Sequence, residues 1–571
     1  MSRRAAWALM GVLAAGRVAV AAEPPVASQP PVASQPPVAS QPPAAAQTPG
    51  ATMPASAEGQ FSLPPVLAPE GAAVDGGQGQ VNRIEFAGNR ALSTTRLQAA
   101  AAPYVGRSVS AAQLEGLRQD LTRLYTDRGY INSGLLIEPP LRDGVLRFRV
   151  IEGRITEVRV HGLRGLRAAY VINRLKGGKH ETFNVNRLRE RFQRLLDDPL
   201  FARLNCRILP GAKLGEAILE VDVERARTYG ASAAVNNYRP PSIEEKGYNL
   251  TGIVRDLTGW GDALNASFSG PIGEAGGTSY SAGWQVPINR HYTAVSLQTS
   301  FVDSVITEQP LESLNIKSRI TRQELKLTQP LWASLTQQFN LGLSGAYEKN
   351  STSLAGIPFS FLPGAVQGVT RAVTARVAPD YSIRTAHQYL GLRLTFLHAT
   401  LLDETSNPAA FAQPDHEYHV WTGQLHHVLE LTDAHLELET RATAQWTGAH
   451  ISDLHALEVG GIDSVRGFRE NELLLSNVHN LNLDLRWLAL PAGRSPAPGV
   501  TVGPFFDWAN GHDVGEPVTT FSSAGGTLRL VWPHVQFNLA VGARLIRPAF
   551  VDAQHGTWQD HGIHLQISAA L

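Results

Sequence analysis

From about Tyr229 to the C-terminus of this 571-residue chain, apolar and polar residues alternate with a period of two. In HLELETRATAQW, Leu436, Leu438, Ala442, Ala444 and Trp446 share one face, and His435, Glu437, Glu439, Arg441 and Gln445 share the other. QFNLGLSGAY sets Phe339, Leu341, Leu343 and Tyr347 against Gln338, Asn340 and Ser344. NLNLDLRW sets Leu481, Leu483, Leu485 and Trp487 against Asn480, Asn482, Asp484 and Arg486. Successive side chains of a strand point to opposite faces, so each stretch reads as a strand with one apolar and one polar side. A soluble sandwich also alternates, but it rarely opposes so many charges to a uniformly Leu-rich face ended by Trp or Tyr. A membrane barrel does so, because lipid takes the apolar side, water fills the lumen and aromatics mark the interfaces. Closure also leaves no sheet edge unpaired in lipid.

The alternating region accommodates about 16 strands, or roughly 21 residues per strand and connection, which suits strands of about 10 residues joined by alternating short and long loops. The last stretch, GIHLQISAAL, keeps Ile563, Leu565, Ile567 and Leu571 on one face. It ends on Leu571, where such barrels ordinarily end on an aromatic. Beyond the N-terminus no run of about 18 apolar residues offers a helical span, and the mean hydropathy is −0.12. With 50 basic and 50 acidic residues the net charge is zero, which gives no sign of a nucleic-acid partner. The single cysteine, Cys206, excludes an intrachain disulfide and a Cys-based zinc site.

At the other end, Arg3 and Arg4, the apolar AAWALMGVLAAG and the small-residue AVAA before Glu23 read as a secretory signal. PPVASQPPVASQPPVASQPP follows, a six-residue repeat whose prolines favour an extended tether, and low complexity continues to about residue 78. Near Val81 the texture changes. VNRIEFAGN reads as a strand ending in a turn. In the helix that follows, Ser110 and Gln113 are spaced as a capping box, and Leu114, Leu117, Leu121, Leu124 and Tyr125 recur at helical spacing. SGLLIEPPLRDGVLRFRVIEG supplies two more strands. The same order then recurs in ITEVRVHGL, NVNRLRERFQRLLDDPLF, RLNCRILPG and EAILEVDVERA, at a period of about 74 residues.

These tandem α+β units resemble POTRA domains, the periplasmic modules of outer-membrane protein transporters. The likeness lies in the strand-Gly opening, the helix exit YTDRGY (Tyr125–Tyr130) and the join VIEGRI (Val150–Ile155). Together with the barrel they resemble the two-partner secretion transporters, the TpsB or haemolysin-activator type, over roughly residues 80–571. The expected organisation is a signal peptide (1–22), a disordered Pro-rich tether (23–78), two POTRA-like domains (79–153 and 154–226) and an all-β transmembrane barrel of about 16 antiparallel strands (227–571). The resemblance places the chain in the outer membrane with its POTRA domains in the periplasm. It implies a transporter that recognises an unfolded exported polypeptide and passes it to the cell surface. The expected partners are an adhesin- or haemolysin-like cargo and outer-membrane lipid, the expected state is a monomer, and no cofactor or metal is implied.

Two motifs carry the resemblance best. GGIDSVRGFREN matches the family's VRG(Y/F) tip on a long loop that folds back into the barrel, here Val465, Arg466, Gly467 and Phe468. GPFFDWANG (503–511) matches a barrel-strand motif of the form F-x-D-x-G, with Gly511 farther from the aspartate than the family pattern has it. The resemblance therefore implies that Arg466 pairs with Asp507 on the inner wall and locks the loop in the lumen. Guanidinium on carboxylate suits such an anchor because it gives two parallel charge-assisted hydrogen bonds. The arginines of the second repeat's helix, Arg187, Arg189, Arg191 and Arg194, are candidate cargo contacts beside a sheet edge, or else a solvated helix face.

Other classes remain in view. Neither G-x-S-x-G, H-E-x-x-H, a phosphate loop nor a dinucleotide fingerprint occurs. LGLSGAY lacks the second spacer of a nucleophile elbow. His416, His419, His426, His427, His435, His450 and His455 have no fixed ligand spacing and spread over separate strands and loops. Catalytic groups can sit on barrel strands, but neither an outer-membrane enzyme nor a passive porin needs tandem POTRA units. The nearest alternative is an outer-membrane β-barrel insertase of the same superfamily, which ordinarily carries three or five POTRA copies. Residues 44–80 show no clear amphipathic plug helix, so a plug is expected to be absent or short.

Overall fold

The computed structural model describes residues 58–62 and 79–571, apart from 143, 179–180, 274–275, 362–364, 404–412, 433–434, 492–496 and 554–555. The expected signal peptide and, apart from Glu58–Ser62 and the start of the first repeat at Gly79, the tether and the region searched for a plug helix lie outside the described residues. The chain divides into two compact units, 55–227 and a barrel unit that begins at Thr228.

In the first repeat of the smaller unit, strands Arg83–Ala87, Gly134–Arg142 and Val145–Ile151 form a sheet with Val145–Ile151 central. Helix Ala111–Thr126 starts on the capping box: the Ser110 hydroxyl accepts from Gln113 N, and the Gln113 amide oxygen accepts from Ser110 N. Its Leu114, Leu117, Leu121 and Tyr125 are buried with Phe148 and Leu135 of the sheet. The second repeat follows the same order. Strands Arg154–His161, Phe201–Pro210 and Glu216–Arg225 pack under helices Ala168–Leu175 and Val185–Leu196, around Leu175, Leu188, Leu195, Leu204 and Cys206.

The motifs that flagged the repeats turn out to build the joint between them. The Glu152 carboxylate of VIEGRI accepts from Arg90 N and Ala91 N (2.7 Å each) and from the Tyr125 hydroxyl (3.2 Å) in the first repeat. It also accepts from the Thr182 hydroxyl (2.8 Å) in the second. Gly129 and Gly153 offer their carbonyls to Val185 N and Phe183 N.

One stretch of the expected disordered tether has a defined partner. Glu58–Ser62 forms a strand parallel to Phe201–Pro210, extending the second repeat's sheet by one. The window between Pro54 and Pro64 is proline-free, so its N–H groups remain available to pair.

The larger unit is a closed barrel of 16 antiparallel strands, from Tyr229–Asn236 to Ile563–Ala570, which pair with each other to close it. Burial is inverted relative to a soluble fold. Leu297, Leu325, Trp446 and Trp487 are about half exposed, whereas Glu439, Gln445, Asn482 and Asp484 are buried inside. Alternation along each strand produces this directly: the apolar face points outward to lipid and the charges line the lumen.

Candidate functional site in the barrel lumen

Strands Leu436–Trp446 and Asn477–Leu490 pair with each other, and the long connection between them carries DSVRGFREN. The connection rejoins the barrel at Asn477, yet its tip contacts Asp484, seven positions along the strand, or roughly 23 Å at 3.3 Å per residue. The loop therefore folds back deep into the lumen.

Arg466 reaches two carboxylates there. Its Nε and Nη2 donate to the two oxygens of Asp507, both at 2.7 Å, and its backbone N donates to Asp507 Oδ2 at 2.9 Å. Nη1 and Nη2 donate to Asp484 at 2.6 and 3.1 Å. The guanidinium carbon lies 3.8 Å from the centre of the Phe505 ring, a cation–π contact. Arg466, Asp484 and Asp507 are all at most 3% exposed. Asn482 donates to Asp507 Oδ1 (2.8 Å) and to the Ser464 carbonyl, tying the wall to the loop a second time. The strand register explains the convergence: Asn482 sits opposite Asp507, and Asp484 opposite Phe505.

Around this polar centre the tip carries its own apolar core. Val465 and Phe468 are fully buried with Leu473, Leu475, Val478, Ala509 and Phe521, and the Phe468 and Phe521 rings meet edge to face at 5.2 Å. Gly467 has φ +92°, a conformation that favours glycine. Its Cα side also presses on the barrel backbone, since a Cβ there would stand 3.0 Å from the Gly542 carbonyl oxygen. Gly467 N donates to His564 Nε2 (3.2 Å), and Arg544 Nε donates to the Gly467 carbonyl (2.6 Å). Ala509 occupies the position where the family pattern has its glycine, and it is fully buried in this core. Gly511 meets a different constraint, because a Cβ there would lie 2.5 Å from the Asn477 carbonyl oxygen.

Sequence reasoning singled out Val465, Arg466, Gly467, Phe468 and Asp507, and the structure brings all five together. It did not assign Asp484, although the alternation already placed that residue on the lumen face. It also gave no role to Arg469, whose Nε and Nη2 donate to Asp560 (2.6 and 3.0 Å) and whose Nη1 donates to Glu308 (2.7 Å). Those partners come from connections far away in sequence. Glu470 N donates to Gln559 Oε1 (2.8 Å), and Gln559 Nε2 donates to the Asn237 and Arg239 carbonyls. A third hold comes from His455, which shares a hydrogen bond with the Tyr418 hydroxyl (2.6 Å).

The four arginines of helix Val185–Leu196 do not form one cluster. Arg191 is paired with Glu181 (2.7 and 2.8 Å), Arg187 approaches the same carboxylate at 3.4 Å, Arg189 is exposed and Arg194 is half-buried. Of the histidines considered, His426 bonds Glu439 (2.8 Å) in the wall and His419 stands beside His398 (3.2 Å). Among the described residues no three metal-ligating side chains converge.

Residues 215–512 match the family model described as haemolysin secretion/activation protein ShlB/FhaC/HecB, and residues 80–153 match that of the ShlB-type POTRA domain. The chain belongs to the ShlB/FhaC/HecB family. It is an outer-membrane protein of the two-partner secretion type, a family of transporters, with its POTRA domains in the periplasm. It is 24% identical over 517 residues to the outer membrane transporter CdiB of Escherichia coli, covering 84% of this chain and 81% of that one. The solved structure of CdiB from Escherichia coli superposes with a TM-score of 0.68 at 19% identity, covering 89% of this chain and 94% of the other. BamA from Haemophilus ducreyi lacking POTRA domains 1–3 superposes with a TM-score of 0.51 at 12% identity, covering 86% of this chain and all of that one. With the repeats in the periplasm, the connections 237–246, 306–315, 447–476 and 547–562 lie at the outer mouth of the barrel, and Arg469 ties three of these four together.

Proposed function

We propose that this chain recognises an unfolded exported polypeptide in the periplasm through its POTRA domains and passes it through the barrel to the cell surface. The observation that carries the reading is the loop tip held inside the lumen by Arg466 on Asp484 and Asp507. Lipid-facing barrels need no such device for stability, since their strands already satisfy one another. A loop fixed by a few directional polar contacts obstructs the lumen at rest and is released by exchanging those contacts, without breaking the barrel. The inner wall is polar and carries both signs of charge, so an extended chain meets hydrogen-bonding partners all the way through.

Cargo recognition by strand addition fits the repeats, because pairing through backbone groups accepts many sequences. Of the four arginines on the second repeat's helix, Arg187 and Arg189 are the exposed ones, and they remain the candidate cargo contacts. The likeness to BamA supports one alternative, insertion of other barrels into the membrane. Comparing cells with and without this chain separates the two. Secretion predicts that one large exported polypeptide leaves the medium and accumulates in the periplasm. A general loss of assembled barrels from the outer membrane, with the medium unchanged, overturns the secretion reading in favour of the insertase.

A further inference from the structure

The two repeats present the same kind of sheet edge and differ in what covers it. In the first, the outer strand Gly134–Arg142 has no partner on its free side among the described residues, but it contains Pro139 and Pro140, which lack donors and blunt strand addition. In the second, the equivalent strand Phe201–Pro210 has no proline until its last residue. This is the edge that Glu58–Ser62 occupies, in register from Glu58 opposite Arg203 to Ser62 opposite Arg207, beside helix Val185–Leu196.

We propose that Glu58–Ser62 is a removable cover strand, and that the edge of Phe201–Pro210 beneath it is the docking site for an extended segment of cargo. The proposal rests on the cargo reading above and adds the site and its built-in competitor. An open, proline-free edge is a hazard in a compartment full of unfolded chains, so a cover is needed at rest. The cover is also bounded to be weak. Pro54 on one side and Pro64 and Pro65 on the other confine it to a short window, and among the described residues it pairs along one side only. Being tethered, it acts at an effective concentration on the order of millimolar, enough to exclude casual partners but open to displacement by a longer strand. A cover that leaves the edge free one-tenth of the time weakens cargo binding about tenfold.

Cys206 supplies the test. It is the chain's only cysteine and stands opposite Phe61 in the register. Neighbouring strands lie about 4.8 Å apart, within the Cα spacing a disulfide accepts. Full-length protein in detergent is titrated with reduced, carboxymethylated α-lactalbumin as a permanently unfolded probe. Three forms are compared: wild type, Gln60→Pro/Ser62→Pro, which cannot hold the ladder, and oxidised Phe61→Cys, in which the cover is locked. The expected result is binding about tenfold tighter for the proline variant and at least tenfold weaker for the locked one, with dithiothreitol restoring wild-type affinity to the latter. Equal affinity across the three overturns the cover while leaving cargo binding elsewhere on the repeats intact. Absence of probe binding to every form, the proline variant included, overturns both this proposal and the cargo reading. Loss of the repeats' resistance to trypsin in the proline variant makes the strand a fixed part of the fold and equally overturns the proposal.

Discussion

Arg469 and Asp560 meet end on, with Nε–Oδ1 at 2.6 Å and Nη2–Oδ2 at 3.0 Å, although 91 residues separate them in sequence. The same guanidinium holds Glu308 at 2.7 Å. It therefore ties the tip of the inward loop to two other connections at the barrel mouth, three residues after Arg466 ties the tip to the wall.

These two arginines should fail differently. Arg469→Ala frees the mouth while leaving the wall contact intact, so single-channel recordings in planar bilayers should show raised resting conductance. Arg469→Lys should resemble the alanine variant, since an ammonium cannot span both oxygens of Asp560 and still reach Glu308. Unchanged conductance in both would remove Arg469 from the closure of the mouth.

Loss of Arg466 strands two buried carboxylates, a cost of roughly 3–5 kcal/mol for the loop's placement. Arg466→Ala should insert into the outer membrane as a heat-modifiable barrel and secrete poorly. Asp507→Ala should be nearly as defective, and Asp484→Asn milder, because Asp507 also receives Arg466 N and Asn482. Adding Asp507→Ala to Arg466→Ala should make secretion no worse, since each change removes the same interaction. Strictly additive losses in secreted cargo would mean the two residues act separately.

The Cys206 thiol lies in the core of the second repeat, and burial pushes its pKa up to about 12. The reactive thiolate is thus suppressed at neutral pH and gains population only as pH approaches that value. Maleimide at pH 7.4 should leave the folded protein unmodified by mass and label it fully in urea. Rapid labelling of the native protein would show that the second repeat opens readily.

Glu152 satisfies three backbone or hydroxyl donors in the first repeat and one in the second. Glu152→Ala leaves them short of an acceptor at the joint, at about 1–3 kcal/mol for each donor that water cannot reach. Urea-dependent labelling of Cys206 should shift to lower denaturant by an amount equivalent to about 2–3 kcal/mol. An unchanged midpoint would show that the joint carries no stability.

Much of this molecule was written locally. Period-two alternation determined the lipid and lumen faces of the barrel strands, because side-chain direction in a strand follows from position alone. The capping box at Ser110 and the leucine spacing after it determined a helix, and the two passes through the same element order determined two repeats. VRGF and Asp507 were visible as motifs. What stayed hidden depends on register and on contacts between distant segments. Asp484 joins Arg466 because its strand pairs with that of Asp507 at one particular offset, and a slip of one residue would have turned it to lipid. Arg469 finds Asp560 and Glu308 only because barrel closure gathers three loops at one mouth. Glu58–Ser62 reads as tether in sequence and becomes a strand because Phe201–Pro210 offers it an open row of backbone donors and acceptors, which no local pattern records.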